Sequence, residues 1–222
     1  MKCIKLTLLI LLTCVYAQSQ SSGGLEGYYF PTGGGSFTWV PKAYFDKDQW
    51  HVESRYDYEE QGVFSLIAGR TFSKENKLTY SLTPMFGYAA GCYEGAIAAA
   101  KIDLDYGSLE LSTESQLCIS LQARSKNLCY SWNDLGYTIS KYIESGLSLV
   151  MDGASSSIKT EPGIFFNFSF GEWSIPVYFF YPYNNQRILI CGICFTVGHM
   201  NQKLGSHSAI PKMPTPKNYF YE

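Results

Sequence analysis

The sequence predicts an all-β fold: a transmembrane, antiparallel, up-and-down β-barrel of about twelve strands, with ten as the fallback count. Three observations lead there. The first is strict alternation. In the stretch L-T-Y-S-L-T-P-M-F-G-Y, Leu78, Tyr80, Leu82, Pro84, Phe86 and Tyr88 fall on one side and Thr79, Ser81, Thr83, Met85 and Gly87 on the other, the period of a strand with one face against an apolar medium. The second is length. Ten steps at ~3.3 Å give ~33 Å, and a tilt of ~40° brings the span to ~25 Å, the height of a membrane barrel's apolar band; soluble strands are about half as long. The third is composition. Aromatic residues make up 16% and charged residues only 16%, below the usual quarter for charges. A soluble β-sandwich or lipocalin-like barrel would carry Lys and Glu on its outer face. Here the non-apolar faces are small or hydroxylated: Thr79, Ser81, Thr83 and Gly87; Ser112, Ser115 and Ser120; Gly146 and Ser148.

The first seventeen residues read as a signal peptide. Lys2 and Lys5 precede an apolar run over 6–15, and Val15-Tyr16-Ala17 fits a small-residue cleavage site before Gln18. The run is too short to span a bilayer as a helix. Cys14, in L-L-T-C, raises lipid attachment as an alternative, although Thr13 is a poor residue before such a cysteine. Residues 18–24 form a flexible opening, 25–197 the barrel, and 198–222 a periplasmic tail. In that tail Pro211, Pro214 and Pro216 stand among Lys203, Lys212 and Lys217, an extended, solvated composition that suits docking a periplasmic partner or plugging the lumen, and equally suits a disordered tail. No later segment has the ~20 unbroken apolar residues of a membrane helix. The net charge of −2 offers no electrostatic case for nucleic acid.

The strands follow in order. Segment 25–31 is short and aromatic, broken by Thr32-Gly33-Gly34-Gly35. Segments 36–45 and 49–58 pair across Asp46-Lys47-Asp48; in the second, Trp50, Val52, Tyr56 and Tyr58 point one way and His51, Glu53, Arg55 and Asp57 the other. Segment 63–72 leads through 73–77 into 78–88. After an irregular 89–95, segment 96–106 sets Ala98, Ala100, Ile102, Leu104 and Tyr106 against Lys101, Asp103 and Asp105. Gly107-Ser108 is a tight hairpin signal, and 109–121 returns with Leu109, Leu111, Leu117, Ile119 and Leu121 against Glu110, Glu114, Gln116 and Cys118. In 128–139 the apolar phase switches from Leu128, Tyr130 and Trp132 to Leu135, Tyr137 and Ile139, which predicts a bulge at Asn133-Asp134. Segments 145–152, 158–170, 172–183 and 187–197 complete the set. Counting from Ser36 gives eleven strands and from Leu25 twelve. Bacterial single-chain barrels have even numbers, and twelve also brings the first and last strands to the same side. The connections after Phe45, Phe72, Tyr106, Ile139 and Phe170 then lie on the periplasmic side. Pro41, Pro84, Pro162, Pro176 and Pro182 are the objection, because a closed barrel has no edge to hold a residue without an N–H.

The order of features resembles small outer-membrane β-barrel proteins of Bacteroidota. The stretches that carry it are G-Y-Y-F-P, S-F-T-W-V-P, W-H-V-E-S-R-Y-D-Y-E, L-C-Y-S-W-N-D-L-G-Y, E-P-G-I-F-F-N-F-S-F-G and I-P-V-Y-F-F-Y-P, spanning 25–197. The resemblance implies location in the outer membrane, contact with its lipid, and a fold rather than a reaction. Such barrels usually end on an aromatic residue of the last strand; here 198–222 follows it.

The densest polar set is expected to line the lumen: His51, Glu53, Arg55 and Asp57, with Lys101, Asp103, Asp105, Glu110 and Glu114. It would tune ion preference in a narrow passive pore, with the acids giving weak cation selectivity. His51, Glu53 and Asp57 holding a divalent cation is an alternative. The simpler reading is that acids and bases pair to fill a small interior, and neither a metal nor a cofactor is predicted. A structural or partner-binding barrel is the second function. An outer-membrane enzyme is the third, and no G-x-S-x-G or H-E-x-x-H supports it. Five cysteines follow the cleavage site, an odd number at irregular spacing. One disulfide is nonetheless geometrically open. A register in which Cys118 faces Cys129, with Ser120 opposite Asn127 and Leu117 opposite Tyr130, puts both thiols in the lumen at bonding distance.

Overall fold

The computed structural model describes residues 21–32, 36–122, 125–154, 157–182 and 187–198. The predicted signal segment, Cys14 and the residues of the predicted tail beyond Gly198 lie outside them. The described residues form strands and turns: β1 (Ser21–Thr32), β2 (Ser36–Lys47), β3 (Trp50–Tyr56), β4 (Val63–Arg70), β5 (Phe72–Lys74), β6 (Thr79–Gly91), β7 (Gly95–Tyr106), β8 (Leu109–Ser120), β9 (Leu128–Ser140), β10 (Ile143–Ala154), β11 (Ser157–Phe170), β12 (Trp173–Phe180) and β13 (Ile188–Gly198). Apart from β4 and β5, each strand pairs antiparallel with its chain neighbours, β1 pairs with β13, and β4 pairs with both β3 and β6. The sheet therefore closes on itself. Since β4 and β5 are two parts of one stave running along β6 in the same register, the barrel has twelve staves.

One end of the barrel is closed by short hairpins at Asp48-Gln49, Gly107-Ser108, Lys141-Tyr142 and Gly171-Glu172. Asp48, Gly107 and Gly171 take positive φ there, the conformation that a two-residue hairpin demands. The other end carries the longer connections, 57–62, 121–127 and 181–187 among them. The ends are called the short-turn end and the loop end below.

Leu25, Trp39, Val52, Leu66, Phe86, Leu117, Leu147, Phe166, Ile175 and Ile193, from ten different strands, stand exposed on the outer wall. Alternating residues turn inward and are buried. An apolar belt around the full circumference suits hydrocarbon, not water, and the barrel is a membrane-spanning one.

The prolines have an account. Each sits where one of its two ladders stops. The β2–β3 ladder begins at Lys42, next to Pro41. The β4–β6 ladder ends at Gly69 opposite Met85 and resumes at Phe72 opposite Leu82, leaving Pro84 in the gap that divides β4 from β5. The β11–β12 ladder starts at Gly163, just past Pro162. The β12–β13 ladder skips Ile175 and Pro176, with Gly192 across from the proline. A residue without an N–H is tolerated at such breaks, so closure and proline are compatible. Pro182 lies in the 181–187 connection, beyond the strand.

Three expectations need correction. β1 begins at Ser21, so Ser21–Gly24 are strand and not a flexible opening; a Cβ on Gly24 would meet the Tyr44 ring at 2.6 Å, and close packing is what this glycine serves. There is no bulge at Asn133-Asp134: β9 keeps one register against β8 from Leu128 to Tyr137, and Tyr130 and Trp132 face inward, where they are buried. Cys118 pairs with Leu128, and Cys129 with Leu117, one residue away from the register that joins the thiols. A slip of one residue turns every side chain to the opposite face. Cys118 is thus buried in the lumen, Cys129 faces outward, and no disulfide joins them.

Candidate functional site: the lumen

The inward faces of β2, β3, β7 and β8 gather most of the predicted polar row around Arg55, whereas Asp105 and Glu110 face inward at the short-turn end beside the Gly107-Ser108 hairpin. Of the predicted residues, His51, Glu53, Arg55, Lys101, Asp103, Asp105, Glu110 and Glu114 all take inward positions. Arg55 is the hub. Its Nε donates to Glu53 Oε2 at 2.7 Å, its Nη1 to Gln116 Oε1 at 2.8 Å and its Nη2 to Glu114 Oε1 at 2.7 Å. Glu114 and Gln116 stand on β8, four staves away around the wall, so this fork spans the lumen. Lys42 lies 3.7 Å from both Glu26 and Glu53 and 4.0 Å from Glu114. Asp103 accepts from Ser81 at 3.0 Å and Ser112 at 2.8 Å. Arg55 is 1% and Glu114 0% exposed.

His51 sits between two carboxylates, Nδ1 2.5 Å from Asp46 and Nε2 2.6 Å from Glu53. Both ring nitrogens are occupied, which leaves neither to serve as a base toward a nucleophile. Asp57 is the predicted residue that does not join the row. It takes φ 56° and turns its carboxylate to the Gly62 N–H at 2.6 Å, so His51, Glu53 and Asp57 do not converge on a cation.

Alternation had placed Tyr58 outside with Tyr56. The positive φ at Asp57 breaks the phase, and the 57–62 connection folds into the barrel. Tyr58 is 1% exposed. It donates to Glu114 Oε1 at 2.8 Å, lies under the Arg55 guanidinium at 4.1 Å, and meets the Tyr130 ring edge-on with centroids 5.9 Å apart. Glu59 follows it inward and accepts from Gln116 Nε2 at 3.3 Å. Burial pushes the Glu59 carboxyl and the Tyr58 hydroxyl above their ordinary values.

Toward the loop end the interior becomes apolar. Tyr28, Phe30, Val40, Tyr130, Trp132, Val150, Phe165, Tyr178, Phe180 and Ile190 form one buried cluster with Tyr58; Val63, Ile67, Met85, Ala89, Tyr93, Ile97, Ala99 and Cys118 form another. Within the first, Trp132 meets Tyr178 and Phe180 edge-on, and its indole N–H and the Tyr178 hydroxyl both donate to Asp134, at 2.8 and 3.1 Å. Asp152 and Glu161 are further buried acids on this side, and Glu144 is another toward the short-turn end. With Glu26 and the acids of the central row, carboxylates outnumber Lys42, Arg55 and Lys101. The sequence reading missed Lys42, which continues the inward series Thr38, Val40, Lys42, and Glu26, which pairs with it across β1 and β2. It missed the aromatic layer because binary patterning assigns every apolar face to lipid.

No protein-family model matches the chain, and no curated protein does. Among solved structures, the chain is similar to the KdgM porin, with a TM-score of 0.54 at 12% identity over 79% of this chain and 99% of that one. The same values hold for the KdgM porin in complex with disordered oligogalacturonate. A looser likeness, TM-score 0.40 at 8% identity over 80% of this chain and 98% of the other, is to a loop L8 deletion mutant of OmpT, an outer membrane protein of Vibrio cholerae.

Proposed function

We propose that the protein is an outer-membrane channel through which small cationic or uncharged solutes pass passively. One observation carries this reading: a closed barrel with an apolar belt outside encloses an interior charged and hydrogen-bonded at mid-height, the construction of a membrane conduit. The fold shared with the KdgM porin supports it at the level of architecture. The solute class follows from the carboxylate excess. An acidic sugar chain such as the one bound to KdgM would be repelled by a lumen whose Lys42 and Arg55 already face Glu26, Glu53 and Glu114.

Protein inserted in planar bilayers should give discrete conductance steps, with reversal potentials favouring cations and a weaker preference when Asp103→Asn and Glu114→Gln are combined. Anion preference, or indifference to those substitutions, would defeat the charge assignment. A second reading has its own observation. The Tyr58 ring, set between Arg55 and Tyr130, and the aromatic layer fill the lumen as it stands, which favours a structural barrel of the envelope. Bilayers that stay silent with folded protein, in wild type and in variants of the closing residues alike, would favour it.

A further inference from the structure

The geometry points to the 57–62 connection as the constriction of this barrel: a latch of Tyr58 and Glu59, clamped by Arg55, Glu114 and Gln116, that decides whether and what the lumen passes. This inference rests on the channel reading above.

The cause begins in β2. Pro41 has no N–H to give to β3, and the β2–β3 ladder runs only from Lys42 opposite Arg55 to Lys47 opposite Trp50. Toward the loop end, residues 36–41 of β2 keep β1 as their partner but have no ladder partner on the β3 side among the described residues. A full-height hairpin would place residues 57–61 there. Instead β3 stops at Tyr56, and Asp57 turns the chain through φ 56°. The turn is fixed from both sides. The Asp57 N–H donates to Val63 O at 2.9 Å, the Asp57 carboxylate accepts from the Gly62 N–H at 2.6 Å, and the Val63 N–H donates to Glu60 O at 3.2 Å. The Cys92 N–H holds Gly62 O at 3.3 Å from the neighbouring connection.

A loop with no functional cause to enter the lumen stays in water, because burial removes its polar groups from solvent. This one delivers a tyrosine and a glutamate into the barrel, and each meets a partner from β3 or β8 already described. The clamp is selective in what it yields. The Tyr58 hydroxyl and the Arg55 guanidinium share Glu114 Oε1, so releasing Tyr58 leaves the Arg55–Glu114 pair in place. What departs is the aromatic ring between Arg55 and Tyr130, the contact that joins the central ion network to the aromatic layer. With the ring gone, the passage that remains beside the Arg55–Glu114 pair is lined by an excess of carboxylates and admits cations.

The test uses the full-length protein in planar bilayers, with heat-modifiable gel migration to establish folding. Three variants are compared with wild type. Replacing residues 58–62 by Asn-Gly leaves Asp57 and Val63 joined by a two-residue hairpin turn; Tyr58→Ala removes the ring; Tyr58→Phe removes the Glu114 hydrogen bond alone. The expected result is brief or small conductance in wild type, several-fold larger conductance in the Asn-Gly and Tyr58→Ala variants, and an intermediate value for Tyr58→Phe. Equal conductance in wild type and the Asn-Gly variant would overturn the latch and leave the channel standing. A folded Asn-Gly variant that conducts nothing would overturn both, since removing the latch would not have opened the lumen.

Discussion

Arg55 concentrates the energetics of the interior in one side chain. It touches Glu53, Glu114, Gln116 and Tyr58 while almost fully buried. Removing one partner of a buried pair strands the other, at about 3–5 kcal/mol, whereas replacing both with apolar groups is close to neutral. Arg55→Ala should therefore cost about 3–5 kcal/mol in urea unfolding followed by gel migration, and Arg55→Met combined with Glu114→Leu much less. Glu59 gives a pH dependence. Its carboxyl is pushed up by burial against the lowering effect of Arg55 and of the hydrogen bond from Gln116, with Glu114 beyond Arg55. The latched state therefore binds the proton more tightly than the released one. That contribution is complete below the released carboxyl's ordinary value and is lost as pH rises through the latched value. Conductance should increase with pH, and Glu59→Gln should flatten the profile. At this scale the sequence was legible where alternation held: His51, Glu53 and Arg55 were found because their strand is regular. Tyr58 was not, because a single left-handed residue, Asp57, reverses the face, and no local pattern announces it.

Strands were easier to find than their registers. The β8–β9 pair is the instructive case. The connecting segment 121–127 fixes no turn type, so one residue of slip was open, and the apolar Tyr130 and Trp132 were assigned to lipid when they belong to the interior layer. The observed register keeps Cys118 and Cys129 on opposite faces. Mass analysis of unreduced, alkylated protein should accordingly find both thiols free, and a bond between them would contradict the register. Neighbouring strands are also matched by shape. A Cβ on Gly192 would stand 2.5 Å from Tyr28 Cε1 and 2.8 Å from Pro176 Cγ, so the aromatic ring and the proline ring both lie over a glycine, a known stabilising device in sheets. Gly192→Ala should destabilise by about 1–3 kcal/mol through overpacking, and Tyr28→Ala in that background should recover part of the loss. Pro176, unexplained by sequence, finds its place through the same glycine.

For the molecule as a whole, strand length and outward alternation were enough to specify a membrane barrel of twelve staves, since lipid imposes the same rule on every strand. The interior obeys no such rule. It is filled by partners from staves distant in sequence, and those pairings exist only once the circle is closed. Arg55 and Glu114 are separated by 59 residues, and Arg55 and Gln116 by 61. This has a kinetic consequence. An open sheet entering the bilayer would carry Arg55, Lys42 and Glu114 without each other, at a desolvation cost far above that of any surface strand. Contacts of such long sequence separation form late and slowly. The charges thus force a route in which β1 meets β13 while the inner face is still wet, and the aromatic layer dries only afterwards. The Arg55→Met, Glu114→Leu protein, relieved of that order, should insert into lipid vesicles faster than wild type even where its final stability is the same.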